Sequence, residues 1–334
     1  MTGLEVVGRL AGSPAGVLKF EPGRDLREVV ALLELGFQDD LQARDRRWLA
    51  DLGRLSGMGP LLSAFSWIFP VLDSGFTGFV FYERDRLVGN VSIMRSASDV
   101  WLIANVVTHP DCRRQGIARR LVEAALAAAR ERGGRQVQLQ VRDDNVGARA
   151  LYEAFGFDRR SATTTLLRAA GDPPPAFSAA GLSAAGGRIT VRPWEPKDAR
   201  RARRLLARAG ELEAGSSGPV RQAVGAGTLA ARLSAAVRGL RRVVWVAAGG
   251  GDLRAIAAAQ AVGAGPHALE VVADPAWVGR TEAALVGGLL ADPSGPANAE
   301  VRAEISARQT GALAALEAAG FERQRTLDRL VLDL

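Results

Sequence analysis

Cysteine is almost missing from this 334-residue chain. Cys112 stands alone, so neither an internal disulfide nor a cysteine-based zinc site can form. A lone thiol fits a reducing, cytoplasmic setting. Histidine is as scarce. His109 and His267 offer no metal-ligand pattern, and no metal is expected. Lysine occurs only as Lys19 and Lys197, so the formal charge of +7 is arginine against carboxylate. The arginines are scattered, with short clusters at Arg200–Arg204 and Arg241–Arg242. No basic tail or RNA-binding signature gathers them, and no nucleic-acid partner is expected. Long apolar runs are lacking too. The most apolar stretch, Met58–Leu72, holds 15 residues and contains Pro60 and Pro70. A membrane-spanning helix needs about 20, so no span is expected, and the stretch reads as a core segment or a substrate-facing lip. The N-terminus lacks the charged-then-apolar order of a leader.

Apolar residues make up 48% of the chain, enough for sizeable cores, and its length suits two domains. Residues 169–187 read AAGDPPPAFSAAGLSAAGG, a linker rich in proline and small residues. It separates 1–168 from 188–334. The two parts share landmarks. Val107-Thr108-His109-Pro110 is matched by Val272-Ala273-Asp274-Pro275, and Glu153-Ala154-Phe155-Gly156-Phe157 by Glu317-Ala318-Ala319-Gly320-Phe321. Pro110 to Phe157 is 47 residues and Pro275 to Phe321 is 46, which points to an internal duplication.

Hydrophobic periodicity predicts the same element order in each part. In the first, helices are expected over Leu26–Leu35 and Gln42–Leu55, and a hairpin over Gly78–Tyr82 and Leu87–Met94. A buried strand Trp101–Thr108 follows, then helix Gly116–Gly133, strand Val137–Val141, helix Asn145–Phe155 and strand Ser161–Leu167. In the second, helix Ala199–Ala209 precedes strands Val243–Ala247, Ala255–Ala261 and Leu269–Ala273. Helix Thr281–Ala291, strand Glu300–Ile305, helix Gln309–Ala319 and strand Thr326–Leu332 complete it. The expected class is α/β (α+β), with two tandem domains, each a mixed, mostly antiparallel sheet flanked by helices.

The run Arg113-Arg114-Gln115-Gly116-Ile117-Ala118-Arg119 lies between a buried strand and an amphipathic helix. A helix start there aims free N–H groups outward and carries positive dipole character. Gly116 and Ala118 leave room for a ligand to approach the backbone, and the arginines add charge. The combination suits a pyrophosphate.

With Val106-x-x-x-Pro110 ahead of Arg113-x-x-Gly116-x-Ala118, and Asn145-x-x-Ala148-x-x-Leu151-Tyr152-x-x-x-Gly156-Phe157 behind it, the chain resembles the GNAT superfamily of acyl-CoA-dependent N-acyltransferases. The resemblance covers roughly residues 17–168. It implies that the backbone of Val106, Val107 and Thr108 pairs with the pantetheine arm of acetyl-CoA and polarises its carbonyl. It implies that Arg113, Arg114, Gln115, Gly116, Ile117, Ala118 and Arg119 hold the pyrophosphate, that Asn145 contacts the arm, and that Tyr152 is the general acid. Acyl transfer from a thioester to an amine needs fixed donors for an oxyanion, here a strand amide such as that of Val107, and a proton donor for the departing thiolate. Tyr82 is the weaker phenol. A general base is harder to place. Family members that acetylate protein N-termini often carry Leu-Glu-Val-Arg before the second motif, whereas this chain has Leu139-Gln140-Val141-Arg142. Asp39, Asp40 and Glu83 are the candidate carboxylates, and a water chain is the alternative. His109 and Cys112 read as loop residues rather than catalysts.

Aligning Pro275 with Pro110 places Thr281 at Gly116 and Glu282 at Ile117, while aligning Phe321 with Phe157 places Leu316 at Tyr152 and Gln309 at Asn145. The second part is expected to be a degenerate copy that shapes the acceptor pocket or mediates contact between chains, as in a homodimer. The expected activity is transfer of an acetyl group from acetyl-CoA to a small-molecule amine. A protein or peptide acceptor and a non-catalytic acyl-CoA sensor are the alternatives.

Overall fold

The computed structural model describes residues 16–37, 77–172, 182–184, 187–210, 218–225, 241–261, 266–296 and 299–334. The expected helix Gln42–Leu55, the apolar stretch Met58–Leu72, and Asp39 and Asp40 lie outside the described residues. The chain divides into two compact units. One comprises residues 1–160 with Arg329–Leu334, and the other Ser161–Asp328.

In the first unit the described strands are β1 (Gly16–Lys19), β2 (Thr77–Glu83), β3 (Arg86–Arg95), β4 (Val100–Thr108) and β5 (Gln136–Arg142), in that spatial order. β1 to β4 are antiparallel neighbours, and β4 pairs with β5 in parallel. Beside β5 runs the end of the last strand, β13 (Glu322–Asp333): Leu334 N–H donates to the Arg135 carbonyl (2.8 Å). Helix α1 (Pro22–Gly36) starts where sequence chemistry favours it. Pro22 opens the first turn, and the Asp25 carboxylate accepts the Glu21 N–H (2.8 Å). α1 buries Val29 and Leu32 against Val80, Leu87 and Val107. Helix α2 (Ile117–Glu131) crosses the other face. Its stripe Leu121, Val122, Ala125, Leu126 and Ala129 packs on Val91, Ile103, Val137 and Leu139. It stops where Gly133 turns left-handed (φ 74°) and Gly134 N–H returns to the Ala129 carbonyl (2.9 Å). Helix α3 (Val146–Glu153) follows β5.

The second unit repeats the pattern. Its strand order is β7 (Leu182–Ala184), β8 (Gly187–Pro193), β9 (Arg242–Gly249), β10 (Asp252–Gln260), β11 (His267–Ala273), β12 (Val301–Ser306) and β6 (Asp158–Arg168). Helices α4 (Ala199–Arg208), α5 (Pro219–Gly225), α6 (Glu282–Ala291) and α7 (Thr310–Ala318) cover it. β11 and β12 are parallel, and β6 pairs antiparallel with β12 from Val301↔Arg168 to Ser306↔Thr163. β1, β7, β8 and α5 were not anticipated. They are short, or lie in a proline- and glycine-rich stretch with little periodicity. Among the described residues, no helix is long and apolar enough to cross a membrane.

Candidate active site

Two features of β4 open the site. First, β4 and β5 pair only from Val100↔Gln136 to Leu102↔Gln138, and no further pair joins them. Among the described residues, the edge of β4 that faces β5 is therefore unpaired from Ile103 onward. Second, β4 carries a bulge. Asn90 pairs with Val107 but Ser92 with Ala104, so β4 has one residue more than β3 across the same span. Asn105 takes the extra turn in the left-handed region, at φ 53°.

The bulge fixes which amides face the cleft. His109 N–H donates to the Val88 carbonyl on β3 (2.8 Å). Ladder amides alternate sides, so Val107 N–H also faces β3, while those of Val106 and Thr108 face β5. Of the amides expected to serve acyl transfer, that of Val107 thus faces β3, and those of Val106 and Thr108 face the cleft. The peptide between Asn105 and Val106 agrees. Its carbonyl accepts from Asn90 Nδ2 (2.9 Å) on β3, and a trans peptide directs the N–H the opposite way.

After β4 the chain makes one 3-10 turn, Pro110–Cys112, and enters α2. Arg114 (φ 66°) and Gly116 (φ 77°) are both left-handed, which curls the loop so that successive N–H groups share one side. Gly116 is the N-cap of α2, and no side chain caps it. The first-turn amides of Ile117, Ala118 and Arg119 have no partner inside the helix. Among the described residues, a Cβ at Gly116 would meet nothing within 4 Å. Arg113, Arg114 and Gln115 are exposed around it, while buried Ile117 anchors the helix start. Arg119 bonds Glu123 (3.1 Å) and lies 5.3 Å from the Phe155 ring, so its amide is freer than its side chain to meet an anion.

Tyr152 sits in the last turn of α3, and its ring is buried. The spacing Tyr-x-x-x-Gly-Phe has a mechanical reason. Gly156 (φ 86°) closes the helix, Phe157 N–H returns to the Tyr152 carbonyl (3.1 Å), and the Phe157 ring packs edge-on against Tyr152 at 5.8 Å. Burial pushes the phenol up to about 12. It stays protonated at neutral pH, as a proton donor must. Asn145 caps α3 instead of lying within it: its Oδ1 accepts the Ala148 N–H (3.0 Å). Asn145 therefore precedes the helix that carries Tyr152.

The remaining candidates are occupied elsewhere. Tyr82 donates to the buried Asp25 carboxylate (3.0 Å). Cys112 is buried and donates to Glu83 (3.4 Å), and that desolvation and acidic neighbour push its thiol up, against nucleophilic use. His109 Nδ1 accepts the Asp111 N–H (3.3 Å), and Nε2 lies 2.6 Å from Arg86. Gln140 is exposed and carries no titratable group. Among the described residues, no group of three or more His, Cys, Asp or Glu could hold a metal ion.

The second unit has the same frame with its openings filled. Gly279 (φ 81°) stands at the position of Arg114. Glu282, 1% exposed, turns its carboxylate onto the loop: Oε1 accepts the Gly279 N–H (2.8 Å) and Oε2 the Thr281 N–H (3.0 Å). Gln309 closes the strand edge, accepting from Ala273 N–H (3.1 Å). β11 pairs with β10 without a bulge, and Leu316 is buried where Tyr152 stands.

A bulged central strand, a splayed parallel neighbour and an uncapped helix start together form an open cleft in an α/β fold. Residues 41–157 match the model of the acetyltransferase (GNAT) family. That segment is similar to the GNAT family, and the chain as a whole has the fold of tandem GNAT proteins. It is 33% identical over 85 residues to N-alpha-acetyltransferase 30 of Schizosaccharomyces pombe, covering 24% of this chain and 57% of the relative. It is 31% identical over 118 residues to the mycothiol acetyltransferase of Geodermatophilus obscurus, covering 33% of this chain and 36% of the relative. A GCN5-related N-acetyltransferase from Sphaerobacter thermophilus superposes with a TM-score of 0.61 at 17% identity, covering 96% of this chain and 95% of that one. A tandem GNAT protein from the clavulanic acid biosynthesis pathway gives 0.50 at 16%, covering 96% and 98%.

Sequence reasoning missed Asn90, Ser92 and the bulge at Asn105. The available signal was two polar residues inside the apolar run Leu87–Met94.

Proposed function

We propose that the chain transfers an acetyl group from acetyl-CoA to the amine of a small molecule, using the first repeat. The observation that carries this reading is the contrast between repeats. The open, uncapped loop at Gly116 and the free edge of β4 accompany Tyr152, whereas the second repeat fills both openings with its own side chains. The diphosphate of the donor fits the amides of Arg114 to Arg119, with Arg113 and Arg114 beside it. The backbone of Val106 to Thr108 pairs with the pantetheine arm, and Asn145 lies on its path. The Val106 N–H receives the oxyanion, and Tyr152 gives its proton to the departing thiolate.

The repeats run 1–168 and 188–334, joined by 169–187. The second serves as a degenerate scaffold copy or as the contact of a homodimer. A reducing cytoplasm suits the single thiol. A peptide N-terminus is the second acceptor reading, favoured by the likeness to an N-alpha-acetyltransferase.

The test is a screen of small amines and of peptides against acetyl-CoA, read by free-thiol release. Release with a small amine supports the first reading, and release with peptides alone the second. Calorimetric titration with CoA separates both from a protein that does not bind it. Gly116→Glu places a side chain at φ 77° and a like charge in the cradle, and should abolish that heat. Full affinity in this variant would place the nucleotide elsewhere.

A further inference from the structure

Asn90 and Ser92 are buried, at 2% and 4% exposure, in the middle of the apolar strand β3. A buried carboxamide persists only where it is hydrogen-bonded, and here both partners belong to the bulge. Asn90 Nδ2 donates to the Asn105 carbonyl (2.9 Å), and Asn105 Nδ2 donates to Ser92 Oγ (3.2 Å). Asn105 holds φ 53°, a conformation that costs a non-glycine residue about 1 kcal/mol and that asparagine tolerates best. Without the Asn90 donor, the Asn105 carbonyl would lose its partner in the sheet interior. Strand β4 would gain by sliding back into regular register.

The second repeat supplies an internal comparison. Its strand β10 has Ile256 opposite Val272, where β3 has Asn90 opposite Val107, and Ala258 opposite Glu270. The amide donor and the serine acceptor are both gone, and β10 and β11 pair without a shift. The clamp and the bulge occur together in the repeat with Tyr152 and are both missing from the other.

We infer that Asn90 is a positioning residue for acyl transfer: its carboxamide holds the Asn105–Val106 peptide so that the Val106 N–H projects into the β4–β5 cleft to meet the thioester oxygen. Asn90 acts through the backbone of its neighbour strand, and Ser92 steadies the Asn105 side chain. The inference rests on the acetyl-transfer reading above.

The test uses the full chain with three measurements: thiol release from acetyl-CoA with an acceptor from the screen, calorimetric titration with CoA, and a crystal structure of the variant. Asn90→Leu keeps the size and removes the donor. It should lower kcat about 100-fold, the scale of losing one oxyanion donor, with a much smaller loss of CoA affinity, because the Gly116 loop is untouched and only the arm's pairing with β4 shifts. In its crystal structure Asn105 should leave the left-handed region and β4 should pair in regular register. Adding Asn105→Gly supplies a residue that takes φ 53° without strain, and should recover much of the lost rate. A side chain that only filled the core would show no such recovery. If Asn90→Leu does not fold, Asn90→Ser, whose hydroxyl is too short to reach the carbonyl, is read in the same way. An unchanged kcat, or an Asn105 that keeps its positive φ in the variant, overturns the inference. If the wild-type chain releases no thiol and gives no heat with CoA, the acetyl-transfer reading fails instead, and the variant's backbone still decides whether Asn90 builds the bulge.

Discussion

Tyr152 and Tyr82 are the two tyrosines of the chain, and their surroundings divide their roles. Tyr82 is tied to Asp25 and is held near 12 by burial and that carboxylate. Tyr152 has no charged neighbour behind its shift, only burial. Tyr152→Phe should lower kcat about 100-fold while CoA affinity holds, since a proton donor acts on the leaving group and not on the bound nucleotide. Steady-state kinetics paired with calorimetry check the split. Both phenols bind their proton more tightly in the folded chain than in the unfolded one. Their contribution to stability is therefore complete below about pH 10 and is lost as pH rises toward 12. Urea melts at pH 9 and pH 11 should show that loss, and Tyr152→Phe should reduce it. A flat profile in the wild type would contradict the buried setting of both rings.

At the scale of elements, the helix ends are the most informative. Glycines at 133, 156 and 320 each close a helix in left-handed conformation, and Phe157 and Phe321 return their N–H groups to Tyr152 and Leu316 alike. The second repeat thus keeps the mechanical frame and changes what the frame holds. Glu282 shows this at a helix start, where its carboxylate takes two loop amides. Glu282→Gln keeps the shape but weakens those charge-assisted bonds. It should leave acetyl transfer at the wild-type rate and cost about 1–2 kcal/mol of stability. A dead Glu282→Gln enzyme would assign the chemistry to the wrong repeat. Most helix and strand positions were legible from apolar periodicity and glycine stops. The bulge was not, because it depends on the register between β3 and β4, which no single strand's pattern records.

For the whole molecule, the chain's two ends of homology do not coincide with its compact units. Leu330, Leu332 and Leu334 join the core of the first unit with Val141 and Phe157. Thr163 to Arg168 pair with β12 inside the second, and buried Arg168 donates to the Ala319 carbonyl there (3.3 Å). Each unit is completed by a strand segment that the linear repeat boundaries at 168 and 188 give to the other. Leu330→Ala should therefore destabilise the first unit, by about 3 kcal/mol if the cavity does not collapse, and weaken CoA binding from the far end of the sequence. Thermal melting and calorimetry read the two effects. An unchanged CoA affinity would mean that β13 is no part of the repeat that binds.

By itself the sequence determined the family likeness, the tandem arrangement, the helix start at Gly116 and the difference between Tyr152 and Leu316, because each depends on residues close together in the chain or at fixed spacing. Tertiary structure alone decided which amide of β4 faces the cleft, that Asn90 holds it there, that Glu282 and Gln309 fill the second repeat, and which strand completes which sheet. Those outcomes rest on pairing between residues far apart in sequence, where geometry chooses among partners that composition leaves equal.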